Sequence, residues 1–180
     1  MGLDFIPKLI SYDIKGILEI ELIDGVRIID MDKPDFVAIA AMLDKFHQVQ
    51  NIENKVLCHI DNNPRNYLYD RLHDKFLMID FSDSRVDYPE WDVIGFLLFW
   101  ASIVNRIRFK EIVKEFLTGY TISRLEDEKR FEYIYHQNIF IFDERRKKYN
   151  KQESLNNPDV IDNRKSILEL YHRILHKEEM

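Results

Sequence analysis

The sequence has few of the features that mark secreted, membrane-spanning or nucleic-acid-binding proteins. Its single cysteine, Cys58, excludes an intramolecular disulfide framework and, inside the apolar run "VLCH", indicates a small core residue rather than a nucleophile. The most apolar window, 93–104, is too short to span a bilayer, and no signal peptide is visible. The net charge of −6 provides no general basic surface for nucleic acid or anionic lipid. We therefore expect a cytoplasmic protein without a nucleic-acid or membrane partner.

The composition favours one well-packed domain. The chain has 180 residues, of which 46% are hydrophobic and 13% aromatic, which is enough to build a core and excludes intrinsic disorder. One basic run, "ERRKKYNK" (144–151), indicates a solvated helix end more readily than a phosphate or lipid patch. The segment "YHRILH" places His172 and His176 on one helical face, where an exposed pair is favoured over a zinc site.

The periodicity of the apolar residues predicts strands first and helices later. Within residues 5–29, two β-rich runs flank the turn signal "DIKG" and predict a hairpin. Residues 33–50 predict a helix, and three short apolar runs follow it: "KVLCHI", "NYLYD" and "KFLMIDF". From Trp91 onward the pattern is helical. The predicted fold class is therefore α+β with a helical C-terminal half.

Four polar residues interrupt the short apolar runs. His59, Asp61 and Asn66 lie in "LCHIDNNPRNYLYD", and Asp80 follows Asn66 by fourteen residues in "MIDF". Taken singly they are weak signals, because Asp and Asn are common in turns and "DNNP" suits a β-turn. Taken together they form H-x-D-x-x-x-x-N followed by h-D-F, where h is apolar. This pattern resembles the catalytic core shared by protein kinases and small-molecule kinases.

The pattern is most similar to that of the aminoglycoside phosphotransferase and choline kinase-like group, whose segments read "HGDLxPxNIL" and "hIDF" or "hIDW". The resemblance covers residues 5 to about 100. It implies a kinase-like C-terminal lobe, mostly helical, over residues 31–180, with the catalytic loops in 57–85 and the helical part in 91–180. It also implies that residues 1–30 form a short remnant β hairpin of the N-terminal lobe, together with the hinge.

The resemblance assigns roles to individual residues. Asp61 matches the catalytic aspartate that takes or orients the acceptor hydroxyl's proton, and Asn66 and Asp80 match the Mg²⁺ ligands. ATP is the implied phosphoryl donor, bound against a hinge near Glu21, Leu22 and Ile23. Four further residues are implied as supporting ones: His59, Arg65, Asp83 and Asp92.

Each supporting residue also has a structural interpretation. His59 is better explained as a hydrogen-bonded scaffold histidine than as a base. Arg65 suits either a phosphate contact or a surface salt bridge, and Asp83 either a second carboxylate of the site or a turn cap. Asp92 resembles the family aspartate that braces the catalytic loop, and it also suits a helix N-cap.

The sequence departs from the family at its N-terminal side. None of its five glycines forms G-x-G-x-x-G, and no lysine stands in a V-A-I-K context. We therefore expect most of the N-terminal lobe to be lacking, and a homodimer or partner subunit to cover the gap. The predicted function is Mg²⁺-dependent transfer of the ATP γ-phosphate to a hydroxyl of a small molecule, either an amine, an aminoglycoside or a sugar. The alternative is a truncated pseudokinase that binds or assembles without turnover.

Overall fold

The computed structural model describes residues 3–15, 17–149 and 155–176. Its strands are β1 Leu9–Tyr12, β2 Leu18–Ile20, β3 Gly25–Arg27, β4 Asn51–Ile52, β5 Lys55–Cys58, β6 Tyr67–Asp70, β7 Lys75–Met78 and β8 Arg85–Asp87. Its helices are α1 Phe36–His47, α2 Glu90–Ala101, α3 Arg106–Gly119, α4 Glu128–Lys148 and α5 Pro158–Leu175. The α+β class with a helical C-terminal half is confirmed.

The strands form three small antiparallel sheets. A hairpin joins β1 to β2, a second sheet has the order β3-β6-β7, and a third has the order β4-β5-β8. In the second sheet Tyr67 pairs with Met78, which fixes the register of the residues just outside both strands. The predicted hairpin is confirmed, as are strands in all three short apolar runs.

Helix α2 lies in the centre of the helical half. Its apolar side chains are buried on every side, as in Ile94, Phe96 and Leu98. Phe96 stacks on Phe116 of α3 with ring centroids 4.6 Å apart. The apolar window of the sequence is thus a core helix, and no helix among residues 3–15, 17–149 and 155–176 has the length and apolar character to cross a membrane.

Side-chain caps start four of the five helices. Asp35 accepts a hydrogen bond from Ala38 N at 2.9 Å, and Asn105, Asp127 and Asn157 cap α3, α4 and α5 in the same way. Each such cap contributes about 1 kcal/mol. Helix α2 has no side-chain cap, because Pro89 occupies that position. Asp92 is therefore not the N-cap of α2, and its carboxylate serves another purpose.

The β1–β2 hairpin and the segment after it are the most exposed part of the fold. Asp13 closes the turn by accepting hydrogen bonds from Lys15 N and Ile17 N. Apolar side chains remain at least half exposed along this region: Leu9, Ile10, Tyr12, Ile14, Ile17, Ile20 and Leu22. The predicted hinge, Glu21 to Ile23, connects β2 to β3 outside any strand. Its role in nucleotide binding stays a prediction.

Candidate active site

The two polar loops of the motif meet beside the β6–β7 pair. Since Tyr67 pairs with Met78, Asn66 lies opposite Ile79, and Ile79 N donates to Asn66 O at 2.9 Å. Asp80 is the next residue along the chain. The register of one hairpin therefore brings the second loop against the first.

The side chain of Asn66 is hydrogen-bonded to Asp61, the candidate catalytic residue. Its Nδ2 donates to the backbone oxygen and to Oδ2 of Asp61, each at 2.9 Å. With Nδ2 used in this way, Oδ1 is left as an oxygen ligand. Asp61 is one-third exposed and Asp80 is exposed, with Ser82 Oγ donating to it at 2.9 Å. The amide oxygen of Asn66 and the carboxylate of Asp80 are hard oxygen donors of the kind that Mg²⁺ prefers.

The loop that carries Asp61 has a positive φ angle at Ile60. This residue has φ of 70°, and Asp61 N donates across it to His59 O at 2.9 Å, closing a three-residue turn. The left-handed region costs a β-branched residue about 1–3 kcal/mol. The related "HGD" pattern has glycine at this position, where the conformation carries no such cost. The loop therefore needs anchoring from outside.

Asp92 provides that anchor from the first turn of α2. Its carboxylate is fully buried and accepts from His59 N at 2.7 Å, Ile60 N at 2.7 Å and Asn62 Nδ2 at 2.6 Å. His47 Nε2 lies 2.9 Å from the carboxylate as well. Four groups from α1 and the loop therefore converge on one side chain, which holds the Ile60 turn closed.

The electrostatics of the anchor favour the charged carboxylate. Burial raises the pKa of Asp92, but the interactions with His47 and the backbone N–H groups outweigh it, and the net pKa is lowered. Tyr120 lies at His47 Nδ1, 2.6 Å away, and Tyr67 donates to Asn62. Burial raises the pKa of both tyrosines well above the ordinary value, so both hydroxyls stay protonated.

His59 lies behind the loop rather than at its open side. Its side chain is fully buried, and Nε2 donates to Ile79 O at 2.9 Å, so the ring joins the two loops. The ring packs 5.0 Å from that of Phe81. Its Nδ1 has no hydrogen-bond partner among the described residues. The imidazole is positioned to support the loops, not to take a proton from a substrate.

Arg65 and Asp83 lie on the surface of these loops. Both are exposed, and the backbone N of Arg65 donates to Asn63 Oδ1 at 3.0 Å. Within the described part of the chain, neither side chain forms a hydrogen bond or ion pair with Asp61 or Asp80. Their supporting roles therefore stay predictions.

Arg145 is a site residue that sequence reasoning missed. Its Nη1 lies 3.9 Å from Asp61 Oδ1, although the two residues are 84 positions apart, and its side chain is 57% exposed. It belongs to the basic last turn of α4, with Arg146, Lys147 and Lys148. The basic run 144–151 indicates only a solvated helix end, and nothing local in the sequence shows which loop that end faces.

The fold and the convergent loop residues define a kinase-like phosphotransferase. The chain belongs to the phosphotransferase enzyme family, whose sequence pattern matches residues 24–131. The choline kinase LicA from Streptococcus pneumoniae has a similar fold, with a TM-score of 0.56 and 15% sequence identity, over 97% of this chain and 76% of that one. No curated protein matches the sequence. The resemblance to the aminoglycoside phosphotransferase and choline kinase-like group is confirmed.

Proposed function

We propose that this protein transfers the γ-phosphoryl group of ATP to a hydroxyl of a small molecule, with Mg²⁺ as cofactor. The observation that carries the proposal is the pair of hydrogen bonds from Asn66 to Asp61, beside the loop that bears Asp80. Phosphoryl transfer depends on positioning and charge neutralisation more than on covalent chemistry. A rigid array of oxygen donors next to a partly exposed carboxylate suits that need.

Each residue of the two loops has a separate role in the proposed transfer. Asp61 accepts or orients the proton of the acceptor hydroxyl, and Asn66 holds Asp61 in place through Nδ2. The oxygens of Asn66 and Asp80 would hold Mg²⁺, which when bound offsets the phosphate charge. Asp92 fixes the loop from behind and keeps Asp61 aligned.

The test of this proposal is calorimetric binding of ATP with and without Mg²⁺. We expect binding that requires Mg²⁺ and that weakens at least about tenfold in Asp80→Asn, since removing a charged ligand costs at least 1.4 kcal/mol. Asparagine tolerates the φ of 62° at Asp80, so the loop should keep its shape.

The matched control is Asp74→Asn, the same substitution at another exposed residue of positive φ, in the β6–β7 turn. It should bind Mg²⁺–ATP like the unchanged protein. Equal binding by Asp80→Asn and the unchanged protein would show that Asp80 is not a metal ligand.

Arg145 narrows the class of acceptor. A guanidinium 3.9 Å from the Asp61 carboxylate repels a cationic group placed near the reacting hydroxyl and attracts an anionic one. Of the acceptors implied by the family, a sugar hydroxyl therefore suits the site better than an amine or an aminoglycoside.

A second protein surface is proposed to cover the β1–β2 hairpin, either from another copy of this chain or from a partner subunit. The support is the row of exposed apolar side chains on this hairpin. For the self-association form, sedimentation should give about twice the 21.8 kDa of one chain.

The doubly substituted Leu9→Lys/Ile20→Lys variant should sediment as one chain, because these two residues are cross-strand partners. Leu72→Lys, in the exposed β6–β7 turn, is the matched control. A monomer at all concentrations, with a hairpin that binds no partner from its native source, would refute the proposal.

A further inference from the structure

The start of α4 and the end of α5 bring together four histidine and glutamate side chains that the phosphotransferase site does not use. His172 and His176 are one turn apart on α5 and its cap, and Glu128 and Glu132 are one turn apart at the start of α4. All four side chains are one-third to one-half exposed, so a solvated ion reaches them.

The donor atoms are spaced as a metal ion requires. His172 Nδ1 lies 3.4 Å from Glu128 Oε2, His172 Nε2 lies 3.4 Å from Glu132 Oε1, and His176 Nε2 lies 3.4 Å from Glu128 Oε1. One ligand atom from each of Glu128, His172 and His176 lies within 4.8 Å of the other two. Tetrahedral zinc, with bonds of 2.0–2.2 Å, separates its ligand atoms by about 3.3 Å.

His172 lies between two carboxylates, with Glu128 at its Nδ1 and Glu132 at its Nε2. A neutral imidazole has one N–H and cannot donate to carboxylates at both ring nitrogens, as the position of His172 between Glu128 and Glu132 would require. A divalent cation at one ring nitrogen of His172 accepts that nitrogen's lone pair and leaves the N–H of the other nitrogen for the second carboxylate.

We propose that Glu128, His172 and His176, with water as the fourth ligand, bind a zinc-class divalent cation that pins the end of α5 to the start of α4, while Glu132 accepts a hydrogen bond from the second ring nitrogen of His172. Two imidazoles and carboxylate oxygens favour Zn²⁺ over Mg²⁺, which prefers oxygen ligands and retains its waters. The site is independent of the phosphotransferase loops, because Glu128 and Arg145 lie seventeen residues, or about 25 Å, apart along α4.

The test is Zn²⁺ titration of the full chain at pH 7.5, followed by thermal melting and by the visible absorption of bound Co²⁺. We expect one ion per chain, a rise in Tm with Zn²⁺ but not with the same concentration of Mg²⁺, and the absorption of tetrahedral Co²⁺. His172→Gln and His176→Gln should each weaken binding by at least about 10- to 100-fold, the loss that even outer-sphere partners cause.

Two control variants separate this site from other metal binding. His136→Gln removes an exposed histidine of α4 outside the cluster, and Asp74→Asn removes an exposed carboxylate of the β6–β7 turn. Both should bind Zn²⁺ like the unchanged protein. The proposal is overturned if Zn²⁺ leaves Tm unchanged, if the histidine variants of the cluster still bind with full affinity, or if either control loses binding equally.

Discussion

Asp61→Asn should reduce phosphoryl transfer by about 10²- to 10⁴-fold while Mg²⁺–ATP binding persists, because the variant loses the group that takes the acceptor's proton. The asparagine side chain keeps an oxygen that accepts the hydrogen bond from Asn66 Nδ2. Asp61 is one-third exposed, so its replacement should leave the melting temperature almost unchanged. The measurement is steady-state transfer of labelled phosphate to a panel of neutral, cationic and anionic hydroxyl compounds.

Arg145→Ala and Lys147→Ala sharpen this experiment as a matched pair from one helix turn. Lys147 pairs with Glu144, so its substitution should leave all rates unchanged. Loss of Arg145 should raise KM for an anionic acceptor and lower the discrimination against amines.

Full activity in Asp61→Asn would show that Asp61 has no role in the mechanism. Mg²⁺–ATP binding with no transfer to any acceptor would instead favour the non-catalytic alternative, a binding module of kinase-like fold.

Asp92→Asn should destabilise the fold by about 3–5 kcal/mol, the cost of breaking a buried, fully paired charge. An amide presents an NH₂ group to donors that now meet a carboxylate, including the backbone N–H groups of His59 and Ile60. Urea unfolding measures the loss. Asp35→Asn is the control, because asparagine caps a helix as well as aspartate does.

The pH dependence of unfolding gives an independent check on Asp92. Since its pKa is lowered in the folded state, its contribution is fully present above the unfolded value of about 3.9 and is lost as pH falls below it. The free energy of unfolding should therefore fall more steeply below pH 4 in the unchanged protein than in Asp92→Asn. Parallel curves would mean that the carboxylate is not stabilised by its partners.

Local sequence signals predicted the two loops that carry Asp61, Asn66 and Asp80, but not all of the short strands next to them. The short apolar runs and the spacing from His59 to Asp80 were enough to place three site residues on two adjoining loops, because a hairpin register is determined by neighbouring residues. Strands β4 and β8 escaped prediction, since two or three residues show no periodicity.

Long-range contacts were beyond the same reasoning. Arg145 reaches Asp61 because α4 packs along α2. The sequence of a basic helix end does not show which part of the fold that end will face. The bond between His47 and Asp92 likewise joins α1 to α2 across the core. Such pairs depend on how helices pack against one another, and a single sequence does not encode that packing in any local pattern.

Helix α4 has a mechanical property that follows from its length. Its first turn carries Glu128 and its last turn carries Arg145, so the helix is a stiff rod about 25 Å long between the two positions. Pivoting such a rod about its first turn by only about 2° carries the guanidinium roughly 1 Å relative to Asp61. The ring contact between Phe142 and Phe99 and the ion pair between Asp143 and Arg164 hold α4 against such a rotation, and so keep Arg145 beside Asp61.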